Sequence, residues 1–500
     1  MRYPVLLSGT VKGGKSPSIP LCQRGKRAAQ GDLFRFLPGK RAVICLFFLI
    51  SFFIFTTPTW SAEPDWTAIE KEAVELLSRY LQVDTTNPPG NELAAANFWK
   101  QYLAQEGLEA QVFESQTGRG VVYARLKGTG EKKALILLHH LDVVPAVKAD
   151  WEVDPFAGTI KDGYVYGRGA IDCKGVAAVQ FMALALLKRM GAPLKRDVIF
   201  LGTADEEEGG RQGAGWFVDN HSDLIVDAEF LLTEGGGIRI RDGKRSYDVD
   251  IAEKAPCWIQ LEASGPAGHG SRPLPETAVT RLVRALDKIL RYETEVKVVP
   301  AVQAYFTALA AQEEPAQAER YRALERALAD PAFRKEFLAN PTYNALVRNT
   351  ISPTMLEGSN KTNVIPAHAR AQLDCRLLPG EDPQVFIANL EKVVADPEVK
   401  FSILLNFPPL ASEADTELFR AIRSIAERHD PQAPVVPAVL GGFTDSHYFR
   451  RKGIVSYGFT GLPLTEEDGR RVHGTNERIP LASLREGSQI LFELIQELNK

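Results

Sequence analysis

Three short runs in this chain are apolar at every position: Ala134–Leu138, Val198–Leu201 and Phe230–Leu232. A strand without polar alternation is buried on both faces, which is the situation in a parallel sheet covered by helices on its two sides. The segments between the runs agree. Ile69, Val74, Leu77 and Leu81 recur at helical spacing over Trp66–Leu81, and further helices are expected over Leu93–Gln105 and Gly175–Lys188. Ala110–Phe113 and Val121–Leu126 add strand material. Strands alternating with helices predict an α/β fold with a mainly parallel sheet flanked by helices.

The pattern changes near Ile251. Cys257–Ala263 alternates, a helix follows over Glu276–Arg291, an Ala- and Glu-rich helical stretch runs over Ala301–Leu346, and Val364–Leu378 returns to strand-like composition. Helices resume at Gln384–Val394, Asp415–His429 and Leu481–Leu498. The expected organisation is a catalytic domain in two pieces, 63–251 and 371–500, interrupted by an inserted α+β lid or dimerisation domain at 252–370. A chain of 500 residues is long for one core, which fits two domains.

Residues 1–62 stand apart. They carry nine Lys/Arg and one acidic residue in a chain of net charge −4, so the remaining body is strongly acidic and a poor match for nucleic acid. Ala42–Thr57 is apolar on every side, follows Lys40 and Arg41, and exits through Pro58, Ser61 and Ala62. A basic flank, a short apolar core and small residues after it read as an export signal, giving a periplasmic or secreted protein. The alternative is an uncleaved anchor at residues 42–57 that leaves the body outside the cytoplasm and makes this segment the sole membrane contact. Of five cysteines, Cys173, Cys257 and Cys375 lie in the body, and none forms a CxxC pair, so neither a disulfide framework nor a thiolate metal site is expected.

Five motifs place ionisable groups where strands end or glycines bend the chain: LLHHLDVVP with His140 and Asp142, YGRGAIDCKG with Asp172, TADEEEGG with Glu206 and Glu207, LLTEGGG with Glu234, and VHGTNER with His473. Each alone has an ordinary structural reading as a core histidine, a helix cap or a solvated acidic loop. Together they gather nitrogen and oxygen donors at the carboxyl ends of strands, where α/β sheets bind ligands. Such donors suit zinc, and adjacent carboxylates at one strand end repel unless a cation holds them.

In these motifs and their order the chain, from about residue 66 to its end, resembles the aminoacylase, carboxypeptidase G and succinyl-diaminopimelate desuccinylase family of two-zinc metallopeptidases. The resemblance implies that His140 and Glu234 bind one zinc and Glu207 and His473 the other. Asp172 would bridge them across a cis peptide to Cys173, Asp142 would orient His140, and Glu206 would be the general base. Cobalt or manganese can replace zinc at such a site. SGPAGHGSRP resembles the lid motif, so that His269 would polarise the scissile carbonyl, often from the partner subunit of a homodimer formed through the lid. RNTISPTML, NVIP and LDCRLLPG resemble the stretch that carries Asn363 and Arg376, with Arg376 as a bidentate fork for a substrate carboxylate. GGFTDSHYF resembles a substrate loop in which Gly442 and Thr444 present backbone donors, with one residue more than the commoner form. The stretch 301–346 resembles the enlarged lid of the carboxypeptidase S branch and of secreted N-acyl-amino-acid hydrolases. The remaining histidines, His139, His221, His368, His429 and His447, are expected in packing or at the surface.

The implied activity is cleavage of an amide bond next to a free carboxylate, in N-acyl amino acids or at the C-terminus of short peptides, by a zinc-bound hydroxide. A biosynthetic deacylase of one small metabolite is the nearer alternative, and a non-catalytic binding protein on the same fold the more distant one.

Overall fold

A computed structural model describes residues 63–500, and the leader, export and anchor expectations for 1–62 lie outside the described residues. Among the described residues no helix is long and apolar enough to cross a membrane.

The three apolar runs sit side by side. Val198–Thr203, Ala134–His140 and Ala228–Thr233 are consecutive parallel neighbours, and Val455–Gly458 continues the parallel order beyond them. They form the middle of a mixed ten-stranded sheet. Ala110–Gln116 and Arg119–Leu126 close one edge in antiparallel fashion. At the other edge, Gly237–Arg241 and Lys244–Glu253 form a hairpin, to which Val435–Leu440 and Pro463–Thr465 add in parallel. One face is covered by Lys174–Arg189, buried over nearly its whole length, and by Trp66–Leu81 and Leu481–Leu498 packed on it. The C-terminal piece thus completes the sheet begun by the N-terminal piece.

Between them, Ala255–Ser264, Thr350–Glu357, His368–Leu377 and Val399–Asn406 build a separate four-stranded antiparallel sheet. Cys257, Ile259, Leu261 and Ala263 face Ala278–Arg291 and Pro383–Val394 in a second apolar core, which accounts for the alternation seen in the sequence. Two expectations are corrected. The boundary at 370 falls inside His368–Leu377, which pairs with Ala255–Ser264 along its full length, and the small sheet takes the chain out to Asn406. The helical stretch does not enlarge this lid. Val302, Phe306, Tyr321, Phe337 and Leu346 join the core of the large domain, where Pro300–Leu309 packs on Val435–Leu440. The stretch packs by its aromatic residues, with Phe306 against Tyr321, Phe337 and Tyr343, into the large core rather than onto the small sheet. Lys254, at the junction, donates its buried Nζ to the carbonyls of Ala345 and Arg348, both at 2.8 Å, and ties the stretch to the crossing point.

Candidate metal centre

Because three adjacent parallel strands end together, the residues that end or follow them converge. His140 is the last residue of its strand, and Glu234 is the first after its own. Glu206 and Glu207 begin a single 3-10 turn after Ala204 and Asp205, the latter in the left-handed region at φ 69°. Asp172 and His473 come from two irregular loops that close over this edge, and the Asp172–Cys173 peptide is cis.

The Asp172 carboxylate divides its oxygens. Oδ1 lies 2.8 Å from His140 Nε2, and Oδ2 lies 3.1 Å from His473 Nε2. Glu234 stands 3.3 Å from the same nitrogen of His140, and Glu207 stands 3.2 Å from that of His473. This gives two donor sets, each of one imidazole and one terminal carboxylate, sharing one carboxylate. The Nδ1–H of His140 donates to the main-chain carbonyl of Asp142 at 3.0 Å, which leaves the Nε2 lone pair facing the cluster, as a metal ligand requires.

The electrostatics show the same demand for cations. Burial, reinforced by neighbouring charge that includes Glu234, pushes Glu206 well above the usual carboxylate range. Burial also raises Glu234, to about 8, and Glu207. Hydrogen bonds to the carboxylates of Asp172 and Glu207 raise His473 to about 10. Burial alone would raise Asp172, but the two histidines overcome it and hold the carboxyl low. The buried Oε1 of Glu207 has no partner. A protein that gathers four largely buried carboxylates around one buried and one half-exposed imidazole and leaves an oxygen bare fits divalent cations, and the N/O donor set suits zinc. Cys173 Sγ also lies within 4.8 Å of donor atoms of His140 and Glu234, where burial and the Glu234 charge push its thiol well above its ordinary value.

Asp142 departs from its expected role in one respect. Its carboxylate is 3.6 Å from His140 Nδ1, longer than a hydrogen bond, and instead accepts the main-chain N–H groups of Glu206 and Glu207, both at 3.1 Å, and Asn87 Nδ2 at 2.8 Å.

A cavity of about 350 Å³ opens beside Asp172, Glu234 and His473. Its walls are mostly apolar, from Ile171, Val176, Ile238, Leu440, Phe443, Leu462 and Leu464, with Gly442, Thr444 and Arg239 among the remainder. Thr444 offers no free backbone donor, contrary to expectation. Its N–H donates to Glu253 at 3.3 Å and its hydroxyl at 2.7 Å. Arg376 is not a free fork either. Nε and Nη2 already engage Asp374 at 2.7 and 3.1 Å, and Nη1 alone is buried without a partner. Its guanidinium lies 5.5 Å from the Phe443 ring, which borders the cavity. His269 ends one strand of a short ribbon of the small domain, Asn363 immediately precedes the other, and neither lines the cavity. The N–H of Ser271 donates to His269 Nδ1 at 3.1 Å, so the proton of the neutral ring lies on Nε2, the nitrogen free to donate.

Three buried residues escaped the sequence reading: Asn87, which carries Asp142; Asp445, which accepts Thr203 Oγ1 at 2.7 Å; and Glu477. Glu477 was visible in VHGTNER, four residues after His473, but nothing in the motif distinguishes it from a surface glutamate.

The family model described as peptidase family M20/M25/M40 matches residues 136–497. The human N-fatty-acyl-amino acid synthase/hydrolase is 30% identical over 373 residues, which are 72% of this chain and 73% of that protein. Aminoacylase-1B of Rattus norvegicus is 28% identical over 435 residues, 86% of this chain and 96% of that protein. Among solved structures, an M20 family metallo-carboxypeptidase from Sulfolobus solfataricus superimposes with a TM-score of 0.68 at 20% identity, covering 86% of this chain and 99% of that one.

Proposed function

The chain belongs to peptidase family M20/M25/M40 and is a hydrolase of amide bonds, and we propose that it cleaves N-acyl amino acids that carry an apolar acyl group and a free carboxylate. The observation that carries this reading is the Asp172 carboxylate shared between His140 and His473 at the mouth of an apolar cavity. The cavity is the place for the acyl chain, at about 0.8 kcal/mol per buried methylene. A peptide would set its charged N-terminus against the same walls, which favours the acyl reading over the peptidase one. The relative named for fatty-acyl amino acids points the same way. Every proposed ligand and the base are present, which disfavours a binding protein without activity.

His140 and Glu234 would hold one ion, Glu207 and His473 the other, with Asp172 between them. Zinc ions held by these residues would supply Lewis acidity toward the scissile carbonyl and the attacking water. Glu206, buried beside the cluster, takes a proton from the attacking water at its carboxylate and returns it to the leaving nitrogen. Asp142 fixes the turn on which Glu206 rides. Arg376 uses Nη1 for the substrate carboxylate while Asp374 holds the rest of the guanidinium still.

His269 acts from the partner of a homodimer. The small domain leaves Val283 and Leu290 exposed on Ala278–Arg291, and Met355 and Leu356 exposed on the edge strand, an apolar surface that a second copy would cover. The basic-flanked run at 42–57 makes the protein an exported one.

The test is a panel of N-acyl amino acids of increasing acyl length, their carboxamides, and dipeptides, with purified zinc-loaded protein. Rates that rise with acyl length and collapse on amidation are expected. Preference for unacylated dipeptides, or indifference to amidation, would refute the reading.

A further inference from the structure

Asp172 and His473 sit on loops far apart in sequence, 167–172 and 473–477, yet two donor sets need them at a fixed separation. Glu477 lies wholly buried between the loops. Its Oε1 accepts the main-chain N–H groups of Ile171 at 2.8 Å and Asp172 at 3.1 Å. Its Oε2 accepts Arg168 Nη1 at 2.7 Å and the N–H of Gly169 at 2.9 Å. Arg168 then reaches back with Nη2 to the carbonyls of His473 at 3.3 Å and Gly474 at 3.0 Å. His473 itself is held in the left-handed region at φ 61°.

These bonds make a closed circuit: the backbone of Asp172, the Glu477 carboxylate, the Arg168 guanidinium, the backbone of His473. Four donors converge on one side chain, and a carboxylate alone has acceptor sites for all of them. A glutamine would offer one oxygen and set an NH₂ against two N–H groups. A clamp that only closed a loop would not need to terminate on the backbones of the two residues that share a cation.

We propose that Glu477 and Arg168 are positioning residues that set the spacing between Asp172 and His473, and so the affinity of the metal position formed by Asp172, Glu207 and His473. This rests on the two-metal reading above. The other position takes His140 and Glu234 from strand ends that the circuit does not touch. It shares only Asp172, whereas the braced position depends on both ends of the circuit.

The experiment is a calorimetric zinc titration of chelator-stripped protein, comparing wild type with Glu477→Gln, Arg168→Met and, as a reference for loss of one position, His473→Ala. Wild type should bind two ions in two resolved steps. Both circuit variants should keep the first step near its wild-type affinity and weaken the second by about 10–100-fold, the usual effect of residues that orient metal ligands. Their isotherms should approach that of His473→Ala. Arg168→Met leaves the buried carboxylate and its backbone bonds in place, so it serves where Glu477→Gln fails to fold. Equal weakening of both steps, or two unchanged steps, would overturn the proposal while sparing the two-metal reading. A wild type that binds a single ion would overturn both.

Discussion

Oδ1 of Asp142 accepts the main-chain N–H of Glu206 at 3.1 Å, so the strand that ends in His140 also fixes the turn that presents the proposed base. Oδ2 does the same for Glu207. One buried carboxylate therefore coordinates two adjacent strand ends. It is itself held by Asn87, which accepts Arg119 Nη2 at 2.8 Å.

Asp142→Asn keeps the shape and sets an NH₂ against one of those N–H groups. The turn should shift without loss of the metal ligands. We expect kcat to fall about 10–100-fold, as for partners that orient a metal site, with KM nearly unchanged. Metal content measured alongside the kinetics checks this. Loss of an ion in proportion to activity would place Asp142 in metal retention instead.

Glu206→Gln tests the base directly. The neutral amide fits the buried pocket and cannot accept the proton, so activity should drop by about 10²–10⁴-fold with both ions retained. Near-normal turnover at full metal content would remove Glu206 from the reaction.

The large sheet and the candidate ligands at its strand ends were legible because each apolar run carries its signal locally, and His140, Glu207 and Glu234 follow those runs within a few residues. The small domain's core was legible from alternation at Cys257–Ala263, but its extent was not. Whether His368–Leu377 pairs with the lid or the main sheet depends on a partner more than a hundred residues away. The aromatic helices of 300–346 carried a burial signal without an address. Thr444 and Arg376 were found by motif, yet their donors proved committed to Glu253 and Asp374, partners that no motif contains. Glu477 and Asn87 are polar residues in loops, and only the fold reveals that four N–H groups or a carboxylate await them.

The Arg376–Asp374 pair leads to a prediction about the substrate's carboxylate. With Nε and Nη2 engaged, one nitrogen remains for substrate, and the planar fork is what aims it. Arg376→Lys keeps the charge and loses that aim, so KM should rise at least about tenfold with a smaller change in kcat. Asp374→Ala should raise KM in the same direction by releasing the guanidinium. Carboxamide substrates should discriminate poorly between wild type and Arg376→Lys. If both enzymes treat acid and amide alike, Arg376 does another job.

His429 and Glu493 supply a pH-dependent contact remote from the metal centre, 2.8 Å apart where Glu417–His429 meets Leu481–Leu498. The hydrogen bond to Glu493 raises His429 above its ordinary 6.5, and although burial opposes it, His429 lowers Glu493 below its ordinary 4.5. A raised histidine stabilises fully below its unfolded value and loses that contribution as pH rises through the folded one. A depressed glutamate stabilises above its unfolded value and loses its contribution as pH falls through the folded one. The pair therefore contributes most between 4.5 and 6.5. His429→Gln should lower the Tm of the apoprotein in that window, by a contact worth about 0.5–1 kcal/mol, and matter little at pH 9. A Tm difference independent of pH would mean that the ring acts only by packing.

The proposed role of His269 links the small domain to the chemistry. Its Nδ1 is occupied by Ser271, its Nε2–H is left to donate, and it does not line its own chain's cavity. A donor at the developing oxyanion contributes roughly 3–4 kcal/mol, so His269→Ala should lose about 10²–10³-fold in kcat. The same loss would follow from damage to the small domain, and complementation separates the two. In a dimer mixed from Glu206→Gln and His269→Ala chains, one of the two centres combines an intact Glu206 with an intact partner histidine. If the histidine works across the interface, mixing the two inactive proteins under conditions of subunit exchange should restore up to about a quarter of wild-type activity per chain at statistical exchange, since half the dimers are mixed and each has one competent centre. Exchange is followed independently with two fluorescent labels. Full exchange without recovery would show that His269 serves its own chain's centre or none.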